Sequence, residues 1–372
     1  MIPSEHAHLY VAAFTDKGMR EGKINEDRYG ISSFQLNVDD STPVLFAIVS
    51  DGIGGHLAGE VAAEMVVNQV IQAVAESNGE APLETIAIAV DTANEAVVQL
   101  AEEDTQKQGM GATCVCVWVV DNRLYAGYIG DSRLYLMRGA SIQQLSTDHT
   151  WIQEALEKGV ITPDQARNHP NMHVIRRYIG SSPAPDVDFR LRTGPEQDEE
   201  TMLNNQGLPL QNGDTLLLCS DGLTDLVWND EILEIVRLQK DLKSAAQRLV
   251  DLANERGGHD NSTVVLIGVP QTGKKRTRKK LSLGWMIAGV IGILALIAAG
   301  LGFLWYLFQP VVTPTPNPVI PISQATETET VTPTETPILP TMTLAPSFTP
   351  TTTPRPTLGP TYTPWPTSTP EG

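Results

Sequence analysis

Over the first 270 residues, apolar positions fall into short continuous runs and into faces spaced by three and four. Val44–Val49 is unbroken apolar chain and ends in Ser50-Asp51-Gly52, which predicts a buried strand and a turn. Ala58, Val61, Ala62 and Met65 follow at i, i+3, i+4 and i+7, so a helix begins soon after. A second long helix is expected over Leu83–Glu103. Thr113–Val120, Leu124–Ile129 and Arg133–Met137 read as consecutive strands, with turns at Asp121-Asn122 and Gly130-Asp131. Thr150 with Gln153, and Thr162 with Pro163 and Gln165, predict capping boxes on two short helices. Thr215–Cys219 is another apolar strand and again ends in Ser-Asp-Gly, at Ser220, Asp221 and Gly222. Leu242, Ala245, Ala246 and Leu249 mark a late helix, and Ser262–Val269 a closing strand. Hairpin-linked strands with paired helices predict sheets covered by helices rather than a simple β-α-β winding.

The pattern changes after residue 270. Residues 271–280 hold Lys274, Lys275, Arg276, Arg278, Lys279 and Lys280. Residues 281–308 carry no charge. As a helix, Gly284–Phe308 spans about 37 Å, enough for a bilayer core of ~30 Å. Trp285, Trp305 and Tyr306 stand near its ends, where aromatic belts form. This predicts one transmembrane helix at a cell membrane, in contact with the lipid bilayer. By the positive-inside rule the basic end is cytoplasmic, so domain 1–270 faces the cytosol and tail 309–372 lies outside the cell. Met1–Tyr10 contains Glu5, His6 and His8 and no long apolar stretch, so no signal peptide is expected. The tail repeats Thr-Pro, has little apolar surface to offset chain entropy, and is expected to be disordered.

Charge sharpens the reading of the first domain. The chain carries −18 overall, but its six juxtamembrane bases mask −21 on residues 1–270. Such a domain repels nucleic-acid phosphates, which argues against nucleic acid as a partner. Cys114, Cys116 and Cys219 all fall in apolar strand-like runs and are expected to be core thiols.

The acids supply the candidate chemistry. Asp27 (in Asn25-Glu26-Asp27), Asp51, Asp131 (in Gly130-Asp131-Ser132-Arg133), Asp221 and Asp260 (in His259-Asp260-Asn261) stand at strand ends or turns beside small residues. Asp-Gly alone is a common turn. Here two apolar strands deliver the same Ser-Asp-Gly. Carboxylates converging at a sheet rim repel one another unless cations neutralise them, and oxygen-rich sites suit Mg²⁺ or Mn²⁺.

In order, Asn25-Glu26-Asp27, Asp51–His56, Gly111-Ala112-Thr113, Gly130–Arg133, Leu145–Thr150, Ser220-Asp221-Gly222 and Gly258–Asn261 resemble the metal-dependent protein phosphatase family, the type-2C Ser/Thr phosphatases, especially bacterial members. The resemblance covers about residues 8–269. It implies an α+β fold, a four-layer α-β-β-α sandwich of two antiparallel sheets flanked by helices. It implies two Mn²⁺ or Mg²⁺ ions per active site: Asp51 bridges them, the Gly52 carbonyl ligates one, Asp221 and Asp260 hold the other, and Glu26 and Asp27 contact metal or its water ligands. Asp131 matches the position that helps to hold a third, weaker metal, and residues 150–170 match a flap beside the site. The implied reaction is hydrolysis of phosphoSer and phosphoThr on cytoplasmic proteins, by in-line attack of a hydroxide shared between the metals. Among bacterial members the expected partners are a membrane Ser/Thr kinase and its substrates.

Two departures stand out. Where the family carries an Arg that clamps phosphate, this chain has Gly22, with Arg20 and Lys23 as alternative clamps. Where animal members carry His after Asp-Gly, it has Ile53, which leaves the general acid open, with His56 one candidate. A membrane-tethered pseudophosphatase acting as a binding module is the alternative function, and a small-molecule phosphohydrolase a third.

Overall fold

The computed structural model describes residues 1–54, 57–166 and 169–271 (Leu57 by its backbone alone). His56, most of the basic run, the apolar stretch 281–308 and the tail 309–372 lie outside the described residues. Among the described residues, no helix is long and apolar enough to cross a membrane.

Two antiparallel sheets stack face to face. The first orders its strands Ile2–Pro3, Arg28–Gln35, Pro43–Ser50, Cys114–Val120, Arg123–Ile129 and Leu208–Pro209. The second orders Ser141–Gln144, Arg133–Arg138, Thr215–Cys219, Ser262–Gly268 and Tyr10–Asp16. Helices Leu57–Glu76 and Pro82–Glu103 cover the first sheet, and Asn229–Leu238 and Leu242–Glu255 cover the second. The expected four layers are present.

Each central strand is apolar throughout because both its faces are buried. Val44, Phe46 and Ile48 pack with the outer helices, while Leu45, Ala47 and Val49 meet the other sheet. The neighbouring strand divides the same way: Cys114, Cys116 and Trp118 face the helices, and Val115, Val117 and Val119 face the second sheet. All three cysteines are free and buried, as expected. The second sheet turns Leu216 and Leu218 inward, and Leu217 and Cys219 toward Leu223, Ala246 and Leu249. At roughly 1.5–3 kcal/mol per fully buried large aliphatic side chain, these three seams dominate the folding energy.

The capping boxes are realised unequally. Thr162 and Gln165 exchange both bonds, Thr162 N to Gln165 Oε1 at 2.9 Å and Gln165 N to Thr162 Oγ1 at 3.4 Å. Thr150 accepts from Gln153 N at 3.2 Å, but the Gln153 side chain turns to Glu157 at 2.8 Å. The two helices they cap are Trp151–Glu157 and Pro163–Ala166.

Candidate metal centre

The two Ser-Asp-Gly turns leave their sheets at the same end of the sandwich, and each is fixed differently. After strand Pro43–Ser50, Ser50 Oγ donates to Thr113 O at 2.7 Å and Asp51 N donates to Thr113 Oγ1 at 2.9 Å. Gly52-Ile53 then pairs with Gly111-Ala112 as a small ladder, which places the Gly-Ala-Thr motif against Asp51. After strand Thr215–Cys219, Ser220 Oγ accepts from Thr263 N at 3.0 Å and donates to Asp27 Oδ2 at 2.7 Å. One serine braces its own turn and the other positions an acid from a remote loop.

Two glycine contacts set the spacing. A Cβ on Gly52 would lie 2.1 Å from Gly59 O, so the first helix rests directly on the Asp51 turn. A Cβ on Gly222 would lie 2.0 Å from Asn261 O, which brings Asp221 beside Asp260. Both neighbours are backbone and cannot rotate away. Gly222→Ala is therefore expected to destabilise the domain by about 1–3 kcal/mol, as overpacking does. It should also weaken Mn²⁺ binding, measured by thermal denaturation and calorimetric titration.

Asn261 organises the loop before Asp27. Its Oδ1 accepts from Glu26 N at 2.8 Å, and its Nδ2 donates to Lys17 O at 2.9 Å and Ile24 O at 3.0 Å. Glu26 and Asp27 are thereby held in buried positions.

A cavity of about 500 Å³ is lined by Arg20, Asp51, Gly52, Asp221 and Asp260 among others. A smaller one beside it, about 230 Å³, is lined by Asp131, Asp148, Asp221, Asp225 and Trp228 among others. The structure thus gathers Asp51, Gly52, Asp221 and Asp260 around one space and Asp131 with Asp221 around the next. Both candidate clamps stand at the larger space, on different partners. Arg20 lines the larger cavity, whereas the Lys23 ammonium pairs with Asp260.

Electrostatics mark this as a strained cluster. Burial pushes Asp27 up to about 6, against the bond from Ser220. Burial, then the neighbouring Asp148, pushes Asp131 up to about 7. Asp51 and Asp221 are raised well above the ordinary carboxylate range by burial and then by nearby carboxylates, Asp27 foremost for Asp51 and Asp131 foremost for Asp221. Among the described residues, Asp27 Oδ1, Asp131 Oδ1 and Asp221 Oδ1 are buried oxygens without a hydrogen-bond partner. Anionic oxygens that are buried, unpartnered and mutually repelling, beside a backbone carbonyl, fit a hard divalent cation.

Some neighbours went unread in the sequence. Asp225 lies one turn after Asp221, and its N–H bonds back to Asp221 O at 2.8 Å, a spacing of four that was legible. His173 Nδ1 comes within 3.5 Å of Asp225 Oδ2 from a distant segment, and no local pattern announces it. His173, Asp221 and Asp225 offer ligand atoms within 4.8 Å of one another. Behind Asp131, the ring of His149 accepts from Gly130 N at 3.1 Å through Nδ1 and donates to Asp188 Oδ2 at 3.2 Å through Nε2. His149 N donates to Gly130 O at 2.9 Å, so the turn that carries Asp131 is gripped from both sides. Arg190 and His149 together hold the Asp188 carboxyl well below its usual range, although burial pulls the other way.

The model of the protein phosphatase 2C family matches residues 16–262. This chain belongs to that family. Among protein phosphatase 2C relatives, the serine/threonine phosphatase Stp of Listeria monocytogenes is 34% identical over 266 residues, 70% of this chain and 96% of its own. The serine/threonine phosphatase of S. agalactiae superposes with a TM-score of 0.61 at 30% identity, over 70% of this chain and 99% of that one. The catalytic domain of the phosphatase PstP, solved in complex with two manganese ions, superposes with a TM-score of 0.56 at 31% identity, over 70% of this chain and 98% of that one.

Proposed function

We propose that this chain is a metal-dependent protein-serine/threonine phosphatase with two Mn²⁺ or Mg²⁺ ions in its site. The observation that carries the reading is the cluster of buried, mutually repelling carboxylates at one end of a phosphatase 2C sandwich. Asp51, the Gly52 carbonyl, Asp221 and Asp260 would hold the two metals, with Glu26 and Asp27 beside them, and Asp131 with Asp221 would hold a third, weaker one. Bound there, divalent cations lower the pKa of water toward ~7 and offset the charge of a transferring phosphoryl group. Around them the protein's own groups do the positioning. Ser220 orients Asp27, Asn261 fixes the Glu26 backbone, and His149 steadies the Asp131 turn. Arg20, which lines the cavity, is the cation we assign to the dianionic ester; Lys23 stands beside the proposed metal ligand Asp260.

The test is phosphate release from a phosphothreonine peptide and from free phosphometabolites, with Mn²⁺ and with EDTA. Metal-dependent release favouring the peptide is expected. Peptide binding without release would leave the pseudophosphatase, and preference for free metabolites a small-molecule enzyme. In the same assay Arg20→Ala should raise KM by about 10-fold, the cost of losing a charged hydrogen bond. Lys23→Ala should change KM less. If neither single variant nor the double one alters the kinetics, the clamp assignment is wrong.

The sequence further supports a single-pass membrane protein with its catalytic domain in the cytoplasm, resting on six basic residues before an uncharged stretch of spanning length. A cytoplasmic domain so tethered would meet phosphorylated proteins near the bilayer, among them a membrane Ser/Thr kinase and its substrates. Protease added to wall-stripped cells should trim a tag placed after Gly372 and spare one at Met1. The reverse pattern would overturn the orientation.

A further inference from the structure

The smaller cavity has a mixed lining: Asp131, Asp221 and Asp225, the basic Arg133 and His173, and the large apolar side chains of Ile152, Met172 and Trp228. Trp228 is 60% exposed and Met172 38%, so each offers apolar surface at this cavity. The backbone under Trp228 is tightly held. Its N–H donates to Glu231 Oε2 at 3.0 Å, and Arg256 grips Glu231 through two bonds of 2.7 and 2.6 Å. Arg256 also donates to Leu226 O at 2.7 Å, and Val227 is buried. An aromatic presented from a fixed backbone loses little freedom on binding and offers a large contact area. Its place is continuous with the acid cluster, since Asp221 lines both cavities.

We propose that Ile152, Met172 and Trp228 form a subsite for an apolar side chain flanking the phosphorylated residue of a protein substrate. This rests on the phosphatase reading above and extends it to substrate choice. The domain carries −21, so its field disfavours acidic flanks, and an apolar one gains from burial against the indole. Contact of this kind discriminates chiefly through binding.

The test is a set of phosphothreonine peptides in which one flanking residue is Leu, Phe, Ala, Lys or Glu. Turnover is measured with the Mn²⁺-loaded protein, and binding by fluorescence polarisation of the same labelled peptides. At one flanking position, Leu and Phe should exceed Ala by about 10-fold in kcat/KM, mostly through KM. In Trp228→Ala that ratio should collapse toward one, and Trp228→Phe should keep part of it. The ratio is internal to each variant, so a general loss of activity cannot imitate its collapse. Equal use of Leu and Ala peptides by the natural protein at every position, a ratio that survives Trp228→Ala, or a Trp228-dependent gain for Lys larger than for Leu would overturn the subsite. Failure of the natural protein to hydrolyse p-nitrophenyl phosphate would instead strike the phosphatase reading, and the polarisation ratios would still decide the subsite.

Discussion

Asp51→Asn and Asp221→Asn should each lower phosphopeptide turnover by roughly 10³-fold or more at saturating Mn²⁺, the scale seen when one member of a cooperating catalytic group is removed. Asn keeps the shape of Asp but loses the charge. Asp51 follows the strand Pro43–Ser50 and is pinned through its own N–H to Thr113; Asp221 lies just beyond the strand Thr215–Cys219. Neither substitution disturbs an apolar seam. Each also removes a like charge from a repelling cluster, so the chelated variants should melt no lower than the chelated natural protein. That combination, inactive yet undiminished in metal-free stability, separates lost chemistry from lost folding. Full activity in either variant would sink the assignment.

Chelation should reverse the usual dependence of stability on pH. Asp27 and Asp131, raised to about 6 and about 7, bind protons more tightly folded than unfolded, and Asp51 and Asp221 are raised in the same direction. A group raised in this way contributes stability that is complete below its unfolded pKa, near 4, and lost as pH rises through its folded value. In EDTA the melting temperature should therefore fall from pH 5 to pH 8, by several degrees. Each kcal/mol is worth about 2–4 °C in a domain of this size. The lowered acids Asp188 and Glu231 act only at more acidic pH. His8, lowered by burial, opposes the trend with a single group. Saturating Mn²⁺ replaces the protons, so its stabilisation should be larger at pH 8 than at pH 5. Scanning calorimetry at the two pH values, with and without EDTA, reads all four quantities. A chelated protein that grows more stable toward pH 8 would show that these acids are not the cluster described.

The parts of this molecule that the sequence announces are those whose cause is local. Val44–Val49 and Thr215–Cys219 are apolar on both faces because both faces are buried, and the repeated Ser-Asp-Gly at their ends points to one rim. Tyr10–Asp16 and Arg28–Gln35 are strands of equal importance, yet they went unread. Their runs include Ala, Gly and Ser, and register with Ser262–Gly268 and Pro43–Ser50, not an apolar run, holds them. The site divides similarly. Asp51, Asp221 and Asp260 were legible from turn chemistry. Nothing near residue 23 says that Lys23 meets Asp260, and nothing near residue 26 says that its N–H is reserved for Asn261. Those pairings come from Ser262–Gly268 lying beside Tyr10–Asp16 in the second sheet, which brings the loop after Asp16 against Asp260 and Asn261.

The last strand also decides which way the site looks. Ser262, beside Asp260 and Asn261, pairs with Asp16 at the acid end, and Gly268 pairs with Tyr10 at the other. Seven residues of strand carry the chain about 20 Å away from the acids before it reaches Gln271. The described domain therefore ends on the side of the sandwich away from the acids, so immobilising it through Gln271 is expected to leave the acid cavity open to a bulky substrate.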